Sequence, residues 1–124
     1  MSVTYLSPSA DQIEAILALE ADGPLIMLNM LRFRPDGGAE QYAEYVAAAT
    51  PFLAKVGATI NYVGSVHGTL IGPGDEDWDE ILLVEYPSKT AFLEMTGDPD
   101  YPGEIRSGAL ADSRLYCTQQ TPRS

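Results

Sequence analysis

Apolar residues recur along the chain with two periods, and the places where one gives way to the other mark its elements. Between Ala39 and Val56 the apolar positions Tyr42, Tyr45, Val46, Ala49, Leu53 and Val56 fall three and four apart, the spacing of one helix face. Gly57 is the natural stop, and Pro51 is expected to kink that helix or divide it near Thr50. Leu25 to Phe33 is a nearly continuous apolar run interrupted by Asn29 and Arg32, which suits a strand covered on both faces. Thr59 to Leu70 and Asp79 to Tyr86 read as an antiparallel hairpin joined through Gly72-Pro73-Gly74 and an acidic loop. Ser9 and Gln12 form a capping box ahead of a short stripe, Ile13, Ile16 and Leu17, which Gly23 and Pro24 bring to an end. Ser88 caps a helix carrying Phe92 and Met95 and closed by Gly97; Asp98-Pro99 opens a further helical stretch with Ile105, Ala109 and Leu110; Ser113 to Thr118 is the last strand.

The predicted order is a leading helix followed by β-α-β-β-α-β, the split arrangement of ferredoxin-like α+β folds. It implies a four-stranded antiparallel sheet in the order 4-1-3-2 with helices on one side. Residues 1–124 form one domain in this reading, with 1–23 as an N-terminal helical extension and 119–124 as a loose tail.

Side chains alternate across a strand, so each strand divides into two faces. One set, with Ile26, Leu28, Met30, Ile60, Tyr62, Val66, Leu82, Val84, Tyr86, Leu115 and Cys117, is apolar and is assigned to the helix side. The other mixes apolar residues with Asn29, Asn61, His67, Glu85, Arg114 and Tyr116, and is too apolar to face water. No helix remains to cover it, and a patch of that size exceeds what a monomer usually exposes. A homodimer that packs these faces together and encloses a cavity is therefore expected.

Composition narrows the function. The 124 residues carry 18 Asp plus Glu against seven Lys plus Arg, a net charge of −11. Nucleic acid and anionic membranes reward clustered basic residues, so neither is an expected partner. One His and one Cys cannot build a four-ligand zinc site, and a single Cys117 forms no internal disulfide. The acidic loop Asp75-Glu76-Asp77-Trp78-Asp79-Glu80 fails the EF-hand test, because Glu80 stands where Gly is needed and Tyr86 where a bidentate Glu is needed. No phosphate-binding glycine loop, dinucleotide fingerprint or serine-hydrolase elbow occurs. No cofactor or metal is expected, and the absence of an apolar span or basic leader points to the cytoplasm.

Several segments together carry a resemblance: Leu28-Asn29-Met30-Leu31-Arg32-Phe33, Tyr62-Val63-Gly64, Trp78-Asp79, Leu83-Val84-Glu85-Tyr86-Pro87-Ser88, Phe92 to Met95, Asp98 to Tyr101, and Arg106 with Ala109 to Leu115. From about Pro24 to Leu115 the chain resembles the family called domain of unknown function 1330. The resemblance implies the dimeric α+β barrel superfamily, which includes cofactor-free monooxygenases, isomerases, dehydratases and haem-handling enzymes; it implies no particular reaction.

Glu85 stands out as a carboxylate within an apolar strand. It reads as a general base or acid, or as the partner of Arg114, Arg32 or Asn29. His67, the only imidazole, is a second acid-base candidate or a solvent-facing hairpin residue. Asn29, Arg32, Asn61, Arg114 and Tyr116 would orient a small polar or anionic ligand, or satisfy one another. Trp78, Asp98 and Arg106 read as structural: one closing the core, one capping a helix, one pairing with a carboxylate. The expected function is binding of a small organic molecule over the sheet, with cofactor-free proton transfer or oxygenation as its chemistry. The alternative is a non-catalytic binding or dimerisation module.

Overall fold

The computed structural model describes residues 3–20 and 23–122. Its elements follow the predicted order: α1 (Ala10–Leu17), β1 (Leu25–Phe33), α2 (Gly38–Val56), β2 (Thr59–Ser65), β3 (Glu80–Tyr86), α3 (Lys89–Thr96), α4 (Gly103–Ala109) and β4 (Leu110–Thr118). The antiparallel sheet runs β2-β3-β1-β4, the expected order read from the other edge. α2, α3 and α4 lie on one side of it.

Local chemistry explains the ends. Ser9 Oγ accepts from the Gln12 N–H at 3.1 Å while Gln12 Oε1 accepts from the Ser9 N–H at 3.0 Å, a complete capping box. Gly57 ends α2 at φ 76°, a left-handed conformation that favours glycine. Pro51 does not divide α2. The carbonyl it deprives of a donor belongs to Ala47, on the exposed side of the helix where water serves it, and Thr50 Oγ1 adds a bond to Val46 O at 2.7 Å. Asp98 is no helix cap: its carboxylate accepts from the Asp100 N–H at 2.9 Å, closing a turn before α4.

The core joins Met27, Leu31, Leu82, Val84 and Tyr86 from the sheet to Tyr42, Tyr45, Ala49 and Met95 from the helices, with Ala109 and Leu110 at the junction of α4 and β4. Directly paired residues of an antiparallel ladder share a face, so the register settles which residues lie beneath the helices. Leu25, Met27, Asn29 and Leu31 pair with Tyr86, Val84, Leu82 and Glu80. The β1 assignment made from the sequence is therefore inverted. Both of its faces are apolar, and Asn29 suggested a wet cavity, yet Asn29 is 8% exposed beneath the helices. Ile26, Leu28 and Met30 line the open face instead.

A second correction comes from an irregularity in β2. Ile60 pairs with Val84 but Tyr62 with Leu83, so one extra residue sits in β2 and the alternation flips. Tyr62 moves to the open face, and Val63 and Ser65 to the other.

Candidate functional site

The open face is a broad apolar surface with polar groups at its two ends. Its middle holds Leu28, Met30, Ile81 and Leu83, all half-buried, flanked by Tyr62 at 53% and Tyr116 at 52% exposure. At one end, where β1 begins, Glu85 lies opposite Ile26 and Thr59. Asn61 Nδ2 donates to Glu85 Oε1 at 2.9 Å, leaving the other carboxylate oxygen without a partner among the described residues. A half-open cleft of about 380 Å³ beside them is lined by Pro24, Ile26, Glu85, Gln119, Gln120 and Pro122.

At the opposite end, Asp112 is the hub. Its Oδ1 accepts from the backbone N–H of Tyr5 at 2.9 Å, the N–H of Ser113 at 2.8 Å and Arg114 Nη1 at 2.9 Å, while Arg32 Nη2 lies 3.8 Å from Oδ2. The Arg114 guanidinium sits between two rings, 4.8 Å from the centroid of Tyr5 and 5.0 Å from that of Trp78. Burial pushes the Asp112 carboxyl up, but the two backbone N–H donors and Arg114 outweigh it and hold the group below its ordinary value. Trp78 thus packs on a cation at the sheet end, where the sequence suggested closure of the core. A cleft of about 300 Å³ opens beside Arg32, Arg114 and the acidic loop.

The sequence candidates are consequently dispersed. Glu85 and Asn61 meet; Arg32 and Arg114 meet around Asp112; Tyr116 stands between the groups on the open face. Glu85 pairs with neither arginine, because Arg114 faces Met30, four residues along β1 from Ile26, about 13 Å at the rise of a strand. Nor does it meet Asn29, which points to the other side. His67 lies beyond the end of β2 and is exposed. Among the described residues no group of three or more His, Cys, Asp or Glu side chains is arranged to hold a metal. No helix of the described residues is long and apolar enough to cross a membrane.

The helix side holds a cluster that the sequence reading passed over. Arg106 of α4 has no carboxylate partner among the described residues; its Nη2 donates to Asn29 Oδ1 at 3.2 Å. Around it stand Tyr42, Tyr45, Tyr86 and Tyr101. The Tyr45 and Tyr101 hydroxyls bond to each other, and Tyr42 and Tyr45 pack with ring centroids 5.3 Å apart. Burial pushes the Tyr42, Tyr86 and Tyr101 phenols far above their ordinary value; neighbouring phenols add to the rise and Arg106 opposes it. The signal was available in part: Tyr42 and Tyr45 fall on the buried stripe of the helix. Arg106 gives no hint, since a lone arginine on a short helix usually pairs at the surface.

No family model matches the chain, and no curated protein does. Solved structures do. The crystal structure of RPA0582, a protein of unknown function from Rhodopseudomonas palustris, matches with a TM-score of 0.89 at 35% identity, over 97% of this chain and 100% of that one. A dimeric ferredoxin-like protein of unknown function from Thermobifida fusca matches with a TM-score of 0.55 at 14% identity, over 83% and 96% of the two chains. A hydroxynitrile lyase from Passiflora edulis matches with a TM-score of 0.58 at 12% identity, over 83% and 100%. The last two likenesses establish the fold alone, α+β and ferredoxin-like.

Proposed function

Because this chain belongs to the family of the Rhodopseudomonas palustris protein RPA0582, we propose that it works as a homodimer joined through the open sheet face and binds a small organic molecule beside Glu85. The carrying observation is the uncovered apolar face: Leu28, Met30, Ile81 and Leu83 lie in one patch with Tyr62 and Tyr116, and no helix of the described residues covers it. A second copy would remove that surface from water at about 25 cal/mol per Å² of apolar area. The dimeric Thermobifida fusca neighbour and the resemblance to domain of unknown function 1330 support the same assembly. The cleft beside Glu85 opens at the margin of this face, so a partner chain would deepen it. Asn61 holds one carboxylate oxygen and leaves the other to accept a proton or a donor group. Glu85 is thereby the proposed base, Asn61 its positioning residue, and cofactor-free proton transfer the proposed chemistry.

One observation favours the non-catalytic alternative: no enclosed side-chain nitrogen or oxygen among the described residues lacks a partner. Two measurements separate the readings. Sedimentation equilibrium at micromolar concentration should give twice 13.4 kDa, and a monomer would sink the dimer. A thermal-shift screen of neutral amides and alcohols on wild type and Glu85→Gln should find compounds that stabilise only the wild type. Equal responses of both proteins would remove Glu85 from the site.

A further inference from the structure

The geometry points to a second binding site, at the end of the open face away from Glu85, that takes a small zwitterion: its carboxylate on Arg32 and its ammonium group on the acidic loop between β2 and β3. The cleft there holds about 300 Å³. That is the lower end of the range for ligand pockets, room for a molecule about the size of an amino acid.

Its two walls carry opposite charge. Arg32 and Arg114 stand on one, and Asp75, Glu76 and Asp77 on the other. No ion pair crosses between them: among the described residues both arginines pair with Asp112 alone, and the three loop carboxylates pair with no cation. Backbone contacts keep the walls in place. Asp79 fastens the loop on either side of Arg32, its N–H donating to the Leu31 carbonyl at 2.7 Å and its carboxylate accepting from the Phe33 N–H at 2.8 Å.

The two arginines are not equivalent. Arg114 Nη1 is spent on Asp112 at 2.9 Å and on the Ser113 carbonyl at 2.8 Å, and the guanidinium is held between the rings of Tyr5 and Trp78. Arg32 comes no nearer to Asp112 than 3.8 Å, too long for a hydrogen bond, and its side chain is 34% exposed. One carboxylate between two guanidiniums leaves a surplus positive charge on that wall, and Arg32 has the planar fork of donors that grips a second carboxylate.

The facing walls select against a singly charged occupant. A simple anion on Arg32 would meet three carboxylates, and a simple cation on the loop would meet two guanidiniums. Across so small a cleft these charges act within about 8 Å, the screening length in physiological salt. Among the described residues no three acidic side chains are arranged to hold a metal ion, which leaves the acidic wall to an organic ammonium group with three donors.

The probe is 4-aminobutyrate, with butyrate and butylamine as its singly charged halves, followed in nitrogen-15 spectra at the Trp78 indole N–H and the backbone amides of residues 75–78. 4-Aminobutyrate should shift these signals saturably, and each half should bind at least about tenfold more weakly. Glycine and 6-aminohexanoate bracket the spacing of the two charges. Arg32→Gln should weaken binding of 4-aminobutyrate by about tenfold or more, the usual loss of charge-assisted bonds, and Arg32→Lys should keep part of it. Glu85→Gln should leave binding unchanged, so failure here and failure at the seam cleft remain distinguishable. Wild-type signals that none of the three zwitterions moves at tens of millimolar would overturn the proposal whether or not the Arg32 variants fold. So would butyrate or butylamine binding as tightly as 4-aminobutyrate.

Discussion

The carboxylate of Asp112 accepts the backbone N–H of Tyr5 at 2.9 Å across 107 residues of chain, and so clasps the segment before α1 to the start of β4. Ser113 completes the clasp by donating its hydroxyl to the Tyr5 carbonyl. Asp112 is 6% exposed, so its charge depends on these donors. Its folded pKa lies below the unfolded value near 3.9. The stabilisation is therefore present above that value and lost as pH falls through the folded pKa. Asp112→Asn is expected to cost about 1–3 kcal/mol at neutral pH. Urea midpoints should show the gap between variant and wild type closing as pH is lowered below about 4.

The buried phenols set the opposite limit. Tyr42, Tyr86 and Tyr101 have folded pKa values raised above the unfolded value near 10. Their contribution is fully present below that value and is lost as pH rises towards the folded pKa, because the unfolded chain ionises first. Thermal midpoints should fall steeply above about pH 10. Tyr86→Phe should flatten that fall, as one titrating group is removed; an unchanged slope would count against the assignment.

Neighbouring residues of β1 should behave differently. Met27 is 3% exposed against the helices, and Leu28 is half-buried on the open face. Met27→Ala is expected to cost about 2–5 kcal/mol through the cavity it leaves. Leu28→Glu should keep the circular dichroism of the fold and shift the sedimenting species from two chains to one. If Leu28→Glu unfolds the chain and Met27→Ala does not, the face assignment is reversed.

Glycines give a graded series for chemical denaturation. A Cβ on Gly38 would lie 2.5 Å from the Ala109 carbonyl oxygen, which cannot swing aside. Gly38→Ala should therefore cost about 1–3 kcal/mol. Gly57→Ala meets only Pro87 at 3.7 Å but keeps φ at 76°, so about 1 kcal/mol is expected. Gly74→Ala, with open space and an ordinary φ, should change little, within about 0.5 kcal/mol.

How far such placements can be read from sequence differs from strand to strand. In β3 the alternation of Leu82, Val84 and Tyr86 with Glu85 is one-sided, and pattern alone assigns the faces as the register does. In β1 both faces are apolar, so alternation carries no vote and Asn29 misleads; only its pairing with Leu82, which is core, decides. In β2 a single extra residue near Asn61 reverses every later position, and such an irregularity leaves no composition signal. The same reasons scatter the candidate site. Glu85 and Asn61 meet because Asn61 sits at the irregularity itself, two residues from Thr59, the partner of Glu85, at the same end of the sheet. Arg106 comes to Asn29 only through the packing of α4, a contact 77 residues long in sequence that no local pattern encodes.

The clasp also bears on how the chain reaches its fold. Asp112 lies at the start of the last strand, so the clasp cannot close until β4 has paired with β1. Long-range closures of this kind are slow relative to helix formation. Trp78 is the single tryptophan, and its ring lies 5.0 Å from the guanidinium of Arg114, which the same strand supplies. The protein therefore carries its own optical clock. In stopped-flow refolding, Trp78 emission is expected to reach its native value after the far-ultraviolet helix signal, and Tyr5→Ala to alter the final amplitude while sparing the earlier phase.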